Sequence, residues 1–388
     1  MAIRKLHISG YRSIRDMHLE LKQINVFLGD NGTGKSNLYR SLYLLHAAAL
    51  GRLPHVLAEE GGLPSALWSG RRMRKEKGLK IRVDFDELTY KLAVGHVPKH
   101  DRPDQSRHDS YPYMEFFRND PDVKSEHVST DYRGKQIDVL TRKRNLITAR
   151  NMDGRPIEFP LVVSSCESVL SGLREPHMFP DLSVLRQEIL SWRFYHHFRT
   201  DSHSPLRGLH TPVFTPILSH DARDLPSALA TICGIDGQGY MAKCIDEAFP
   251  GATLQFIAEE KSLQVALKMP DFHRPFLTRE LSDGTLQYLC LLAALLSPRP
   301  PLLMALNEPE TSMHVSLMEP LAKLICDTAK KTQMWVTTHS PELAKAIKDI
   351  SGVPPIKLHK VDGETRVVGA KLVDDEDDDD YEDFAEDL

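Results

Sequence analysis

Apolar and polar positions alternate along this chain in blocks that separate strands from helices. Ile24–Leu28 (INVFL) reads as a short strand, and the stretch from Lys35 to about Leu50 has the composition and length of a helix. Lys80–Phe85 and Tyr90–Val94 are strand-like, residues 97–112 form a polar loop, and helical pieces lie near 183–191 and 225–232. In the last third the alternation becomes regular. An apolar helix over Gln287–Leu296 is followed by a strand in PLLMAL, a helix around Val315–Lys330 and a strand over Gln333–Thr337. Another helix then opens at Pro341, a good first-turn residue. Strands alternating with helices predict a parallel sheet covered on both faces, with any ligand site at the carboxyl ends of its strands. Ile356–Val361 and Arg366–Val368, joined through Asp362-Gly363, predict a hairpin with a type I′ turn. Heptad periodicity is absent, which excludes a long coiled-coil arm.

The predicted strand at Ile24–Leu28 runs into Gly29-Asp30-Asn31-Gly32-Thr33-Gly34-Lys35-Ser36, a G-x-x-x-x-G-K-S phosphate loop, and then into the predicted helix. Glycines let the backbone curl so that successive N–H groups face phosphate oxygens, and the helix adds its positive N-terminal end. Lys35 is expected to reach the β- and γ-phosphates of ATP and Ser36 to bind Mg2+, with Gly29, Asn31, Gly32, Thr33, Gly34 and Asn37 completing the nucleotide contacts. The fold class expected is α/β, a P-loop NTPase.

Three later stretches come in a telling order: LSDGT at Leu281–Thr285, LNEPETSMH at Leu306–His314, and THS at Thr338–Ser340, the second standing after PLLMA. Taken with GDNGTGKS, they resemble ABC-type ATPase heads, nearest to the clan of RecF, the chromosome-maintenance ATPases and the overcoming-lysogenization-defect (OLD) ATPases. The opening IRKLHISGYRSIRDMHLELKQINVFLGDNGTGKSNL, WRFYHHFRTD at Trp192–Asp201 and TPILSHDARDL at Thr215–Leu225 are similar to that clan's stand-alone AAA-family ATPases. The resemblance implies an ABC-type head with a mostly parallel core sheet, an antiparallel β lobe and a helical insert. It implies that Ser282 and Gly284 form a signature loop facing the γ-phosphate held by a second subunit, and that Thr311–His314 cross the dimer interface. Glu308 would orient or deprotonate the attacking water and His339 would be the switch histidine, both catalytic. Two departures stand out. No Q-loop glutamine can be placed, and Asn307 occupies the position where an Asp usually acts on Mg2+ through its water shell. An amide oxygen still accepts water hydrogen bonds, without the charge, so weaker Mg2+ affinity and slower hydrolysis are expected.

Charge adds a partner question. The net charge of −5 conceals an acidic run of eleven carboxylates over 374–388, leaving a body of +6. This run is expected to be disordered, serving either solubility or competition with nucleic acid for a basic surface. Arg71–Lys75 and Arg142–Arg144 are basic clusters that fit either solvated loops or backbone contacts to nucleic acid. His196, His197, His203, His210 and His220 match no standard zinc spacing. Five dispersed cysteines, no signal segment and no apolar run long enough for a bilayer point to a cytoplasmic protein without membrane contact.

Four parts are expected: 1–95, the first half of the head; 96–265, a β lobe and largely helical insert; 266–373, the second half; and 374–388, the acidic tail. No nuclease domain is expected after the hairpin, so any nuclease or effector would be a separate chain. The function expected is an ATP-hydrolysing, ATP-dimerised switch or motor on DNA or an effector, in genome maintenance or phage defence. The alternative is a low-turnover nucleotide-binding sensor or scaffold. A transporter subunit is disfavoured, because no coupling region is found.

Overall fold

The computed structural model describes residues 1–70, 78–96, 117, 119–159, 163–173, 175–237, 239–259 and 261–369. The predicted polar loop at 97–112, the cluster Arg71–Lys75 and the acidic tail lie outside the described residues. In chain order the strands are β1 (Ile3–Tyr11), β2 (Ile14–Glu20), β3 (Ile24–Leu28), β4 (Gly78–Phe85), β5 (Leu88–His96), β6 (Pro121–Tyr132), β7 (Lys135–Lys143), β8 (Leu146–Arg150) and β9 (Pro156–Glu158). Then follow β10 (Arg193–Tyr195), β11 (Thr253–Glu259), β12 (Ser262–Lys268), β13 (Phe276–Leu277), β14 (Leu303–Asn307), β15 (Gln333–Thr338), β16 (Ile356–Val361) and β17 (Glu364–Val367). The helices are α1 (Lys35–Ala49), α2 (Leu53–Glu59), α3 (Leu63–Ala66), α4 (Val169–Gly172), α5 (Pro180–Ser191), α6 (Leu225–Asp236), α7 (Gly239–Ala248), α8 (Asp283–Leu295), α9 (Met318–Thr328) and α10 (Pro341–Ser351). No described helix is long and apolar enough to cross a membrane.

Two compact units emerge. The described residues within 1–22, 31–192 and 358–369 make the first; those within 23–30 and 193–357 make the second. The first is built on an eight-stranded antiparallel sheet in the order β2-β1-β4-β5-β6-β7-β8-β9. Strict alternation sets its faces: in β4, Leu79, Ile81, Val83 and Phe85 are buried while Lys80, Arg82 and Asp84 face the other way. Helix α1 contributes Leu38, Leu42 and Leu45 to this core, and His46 Nδ1 lies 2.8 Å from the Ile189 carbonyl of α5. The sheet runs through residue 95, since β5 pairs along its length with β6. A boundary there would cut a hydrogen-bonded ladder. The insert is accordingly strand-rich over 121–158 and helical only from Val169 onward.

Arg142 is a correction to the basic-cluster expectation. It is 1% exposed and donates to the carbonyls of Arg144, Ser164 and Glu167, with Glu126 Oε2 3.8 Å away. A guanidinium committed to buried carbonyls is unavailable to a phosphate backbone, and an unpaired one would be far too costly to bury.

The second unit holds a parallel sheet in which β14 lies between β10 and β15, and β15 pairs in turn with β3. Strand β16 joins beside β3 through Ile356 and Lys357, then continues in the first unit as the hairpin with β17. Asp362 and Gly363 both take positive φ (51° and 87°), the geometry of the predicted type I′ turn. Helix α8 is apolar on every side because every residue from Leu286 to Leu295 is buried, with Leu289 and Leu292 fully so. A small antiparallel sheet, β11-β12-β13, completes the unit.

Candidate functional site

The carboxyl ends of three adjacent parallel strands bring the candidate residues of the second unit together. Thr338 at the end of β15 pairs with Leu28 of β3 on one side, while Thr337 pairs with Asn307 of β14 on the other. Gly29, Glu308 and His339 therefore start from neighbouring strand ends, where an open parallel sheet presents its ligand site. Gly29 N donates to Thr338 O at 3.4 Å, and Glu308 N to Thr337 O at 2.8 Å.

Glu308 takes φ +50°, and four residues on Ser312 takes +65°. Left-handed conformations at residues other than glycine cost about 1–3 kcal/mol each and persist only where the surroundings enforce them. Here they turn the chain so that the Glu308 carboxylate, 30% exposed, lies 4.0 Å from His339 Nδ1. Glu310 was not among the residues expected to act, yet it organises this corner. Its Oε1 accepts from Thr338 Oγ1 at 2.5 Å, His339 N at 2.9 Å and Ser340 N at 3.2 Å, and lies 3.2 Å from His339 Nδ1. Its Oε2 is buried and has no hydrogen-bond partner among the described residues. The second glutamate of LNEPE thus ties the loop after β14 to the loop after β15.

Asn307 is 4% exposed and held from both sides. Its Oδ1 accepts from Thr337 Oγ1 at 2.7 Å, and its Nδ2 faces His196 Nδ1 at 2.8 Å. One lone pair of the amide oxygen is therefore committed, which leaves less for the water shell of a metal than the sequence suggested. His196 follows β10, which pairs with β14, so the first histidine of WRFYHHFRTD becomes a neighbour of Asn307 by strand pairing alone.

The loop from Gly29 carries the chain out of the second unit and into the first, where α1 begins. Gly32 (φ +82°) has open space where a side chain would project, as close phosphate approach requires. Gly34 (φ +99°) caps α1, and a Cβ there would fall 2.0 Å from Thr365 Oγ1 and 2.7 Å from Ser13 Oγ. Those two hydroxyls are 2.7 Å apart. Thr365 donates to the Thr33 carbonyl at 2.8 Å, and Asn37 Nδ2 donates to Ser13 Oγ at 2.7 Å. Asn37 is thus engaged in bracing the loop. Lys35, 3% exposed, and Ser36 open the fifteen-residue α1 behind Asn31 and Thr33. These features fit the phosphates of a nucleotide: two glycines in left-handed backbone, a cation and a helix N-terminus.

Ser282 and Gly284 each have a local task. Ser282 caps α8, its Oγ accepting from Thr285 N at 3.2 Å. A Cβ on Gly284 would meet Ser312 O at 2.4 Å, so glycine is what allows α8 to approach the left-handed turn after Glu308. Arg207, missed in the sequence, fixes the loop before α8. It donates to the carbonyls of Thr278, Arg279 and Leu281 at 2.9–3.2 Å and to Asp283 Oδ1 at 2.8 Å. Arg274 braces the same segment, and its bidentate hydrogen bonds hold the Glu280 carboxyl down to about 2.

The histidines at 196–220 do not form a metal-ligand cluster among the described residues. His220 Nδ1 lies 2.9 Å from the Phe194 carbonyl, and His210 pairs by a β-bridge with Leu263.

Comparison with known proteins finds similarity to ATPases. Residues 1–147 match the family model "AAA ATPase domain", and residues 239–345 match "AAA domain, putative AbiEii toxin, Type IV TA system". A DNA replication and repair protein RecF from Oceanobacillus iheyensis is 28% identical over 102 residues, which are 26% of this chain and 28% of that protein's length. Among solved structures, an SMC head bound to the C-terminal winged-helix domain of ScpA superposes with a TM-score of 0.50 at 14% identity, covering 96% of this chain and 99% of that one. The SMC head domain from Thermotoga maritima scores 0.42 at 13% identity, covering 96% of this chain and 100% of that one. The two ATPase models match separate parts of the chain, and the structural likeness shows its fold, the P-loop ATPase head fold seen in the SMC head.

Proposed function

We propose that the chain binds ATP with Mg2+ and hydrolyses it, pairing with a second copy so that nucleotide is held between the two. The observation that carries this reading is the corner after β14 and β15, where Glu308 stands 4.0 Å from His339 Nδ1 and Glu310 grips the histidine's backbone. A carboxylate at the exposed end of a parallel sheet, beside a histidine whose position is fixed, suits the orientation of an attacking water. Lys35 and the glycine-bearing loop supply the phosphate contacts, and Ser36 a ligand for Mg2+. Ser282 and Gly284 would meet the γ-phosphate of the second copy. The switch would act on DNA or on an effector chain, in genome maintenance or phage defence. A separate docking protein is suggested by the ScpA domain seated on the similar SMC head. The test is ATP turnover: Glu308→Gln should keep ATP binding and lower hydrolysis by about 10²–10⁴-fold, the usual range for a lost general base.

A second reading, a low-turnover sensor or scaffold, is favoured by Asn307, whose buried amide is held by Thr337 and His196 and carries no charge for Mg2+. Asn307→Asp separates the two. A lower half-saturating Mg2+ concentration with faster turnover supports a hydrolytic site slowed by this amide; unchanged kinetics with negligible turnover supports the sensor.

A further inference from the structure

The first unit carries a second group of histidines and a carboxylate, far simpler in construction. Strands β1 and β2 pair so that His7 stands directly opposite His18, and Ser9 opposite Asp16. Asp16 and His18 are two residues apart, and side chains on a strand alternate, so His7, Asp16 and His18 share one face. The opposite face is buried through Leu6, Ile8, Met17 and Leu19. On the polar face His7 Nε2 lies 2.5 Å from Asp16 Oδ1, and His18 Nε2 lies 3.4 Å from Asp16 Oδ2. The two imidazole rings stack with centroids 3.7 Å apart and planes 16° apart. One ligand atom from each residue falls within 4.8 Å of both others.

Two imidazoles converging on one carboxylate are poorly served by protons alone. One imidazolium neutralises Asp16, and a second would set like charges face to face at ring-stacking distance. A divalent cation uses both ring lone pairs and the carboxylate charge at once. We propose that His7, Asp16 and His18 form a binding site for a borderline divalent ion such as Zn2+, with water completing its coordination from the solvent side. Two nitrogens and one oxygen suit Zn2+, Co2+ or Ni2+, and do not suit Mg2+ or Ca2+, which take oxygen ligands. Metal bonds of about 2.0–2.1 Å in a tetrahedral set place ligand atoms roughly 3.3 Å apart. The 3.4 Å separation already matches; the 2.5 Å contact opens as the ion replaces the proton between His7 and Asp16, and the rings tilt apart. That proton passes to solvent, so binding strengthens as pH rises. The neighbouring cations do not block the site. Arg82, opposite His7, gives its Nε to Asp84 at 2.9 Å, and Lys80 stands opposite Ser9, one ladder pair further on. The ion would clamp the outermost strand, β2, to β1.

The experiment is a Co2+ titration of the chelator-treated full chain, read by the visible ligand-field absorption of bound Co2+, with displacement by Zn2+. Wild type should take up one equivalent, and a tenfold excess of Mg2+ should not displace it. Asp16→Asn and His18→Ala, both at half-exposed side chains, should weaken binding by more than about 100-fold, above the usual loss for outer-shell partners. Lys35→Ala should leave it unchanged, which keeps this site distinct from the nucleotide loop. As a second readout, Zn2+ should raise the melting temperature of wild type and of Lys35→Ala but not of the two variants. Equal Co2+ binding by wild type and both variants, or no binding by wild type at millimolar Co2+, overturns the proposal.

Discussion

Two regions of this molecule set histidine against carboxylate, and they do it by opposite means. After β14 and β15, Glu308, Glu310 and His339 sit on loops, with left-handed backbone at Glu308 and Ser312 and a buried carboxylate oxygen without a partner among the described residues. On β1 and β2, His7, Asp16 and His18 sit on a regular antiparallel ladder, and each position follows from register alone. The first arrangement tolerates strain and an unsatisfied atom, costs that persist when a site must hold reactive geometry. The second keeps its three residues in extended strand backbone, with the left-handed Arg12 (φ 49°) confined to the turn, and is crowded only in its charges. Strained loops at strand ends suit chemistry on a bound substrate, whereas a ladder suits a static ligand.

The predictions sharpen that contrast. On ATP affinity, the largest effect is expected at the phosphate loop. Lys35→Ala removes a charge-assisted contact of about 1.5–3 kcal/mol and should weaken ATP binding by about 10- to 100-fold, measured by equilibrium titration. Next comes Glu310→Ala, which strips the acceptor from Thr338 Oγ1 and from the N–H groups of His339 and Ser340. Buried donors left without partners cost about 1–3 kcal/mol each. Denaturant unfolding should therefore show a loss on the order of 3 kcal/mol, and turnover should fall with it. Glu310→Gln keeps an acceptor oxygen and should recover most of the stability. The smallest effect belongs to the exposed pair Arg274–Glu280. Glu280 titrates at about 2 instead of 4.5 in the folded chain, so its contribution is full above 4.5 and is lost as pH falls toward 2. Arg274→Ala should flatten that acid limb of the melting curve slightly, through a small loss of stability at neutral pH that disappears as pH falls toward 2.

Legibility followed the kind of information each residue carries. The phosphate loop, the apolar α8 and the strand–helix alternation from Leu303 to Ser351 were readable because glycine spacing and hydrophobic period are local. The type I′ turn at Asp362-Gly363 was readable for the same reason. The bracing residues were not. Ser13 and Thr365 meet the phosphate loop from 352 positions apart, and Arg207 reaches the loop before α8 across more than 70. His196 touches Asn307 only because β10 pairs with β14. Arg142 looked like a surface cation because sequence shows charge but not burial. Glu310 lay within the quoted motif; its signal was a second carboxylate two residues after the first, at a turn into a histidine loop. The continuity of the antiparallel sheet across residue 95 was hidden because β5 and β6 are separated by a polar stretch that reads as a boundary.

Hydrolysis at this site depends most directly on Glu308. The direct measurement is single-turnover hydrolysis of ATP by wild type and Glu308→Gln, with ATP affinity measured on the same preparations. Equal affinity and a hydrolysis rate lowered by about 10²–10⁴-fold is the predicted result. An unchanged rate in the glutamine variant, with ATP bound, would contradict it.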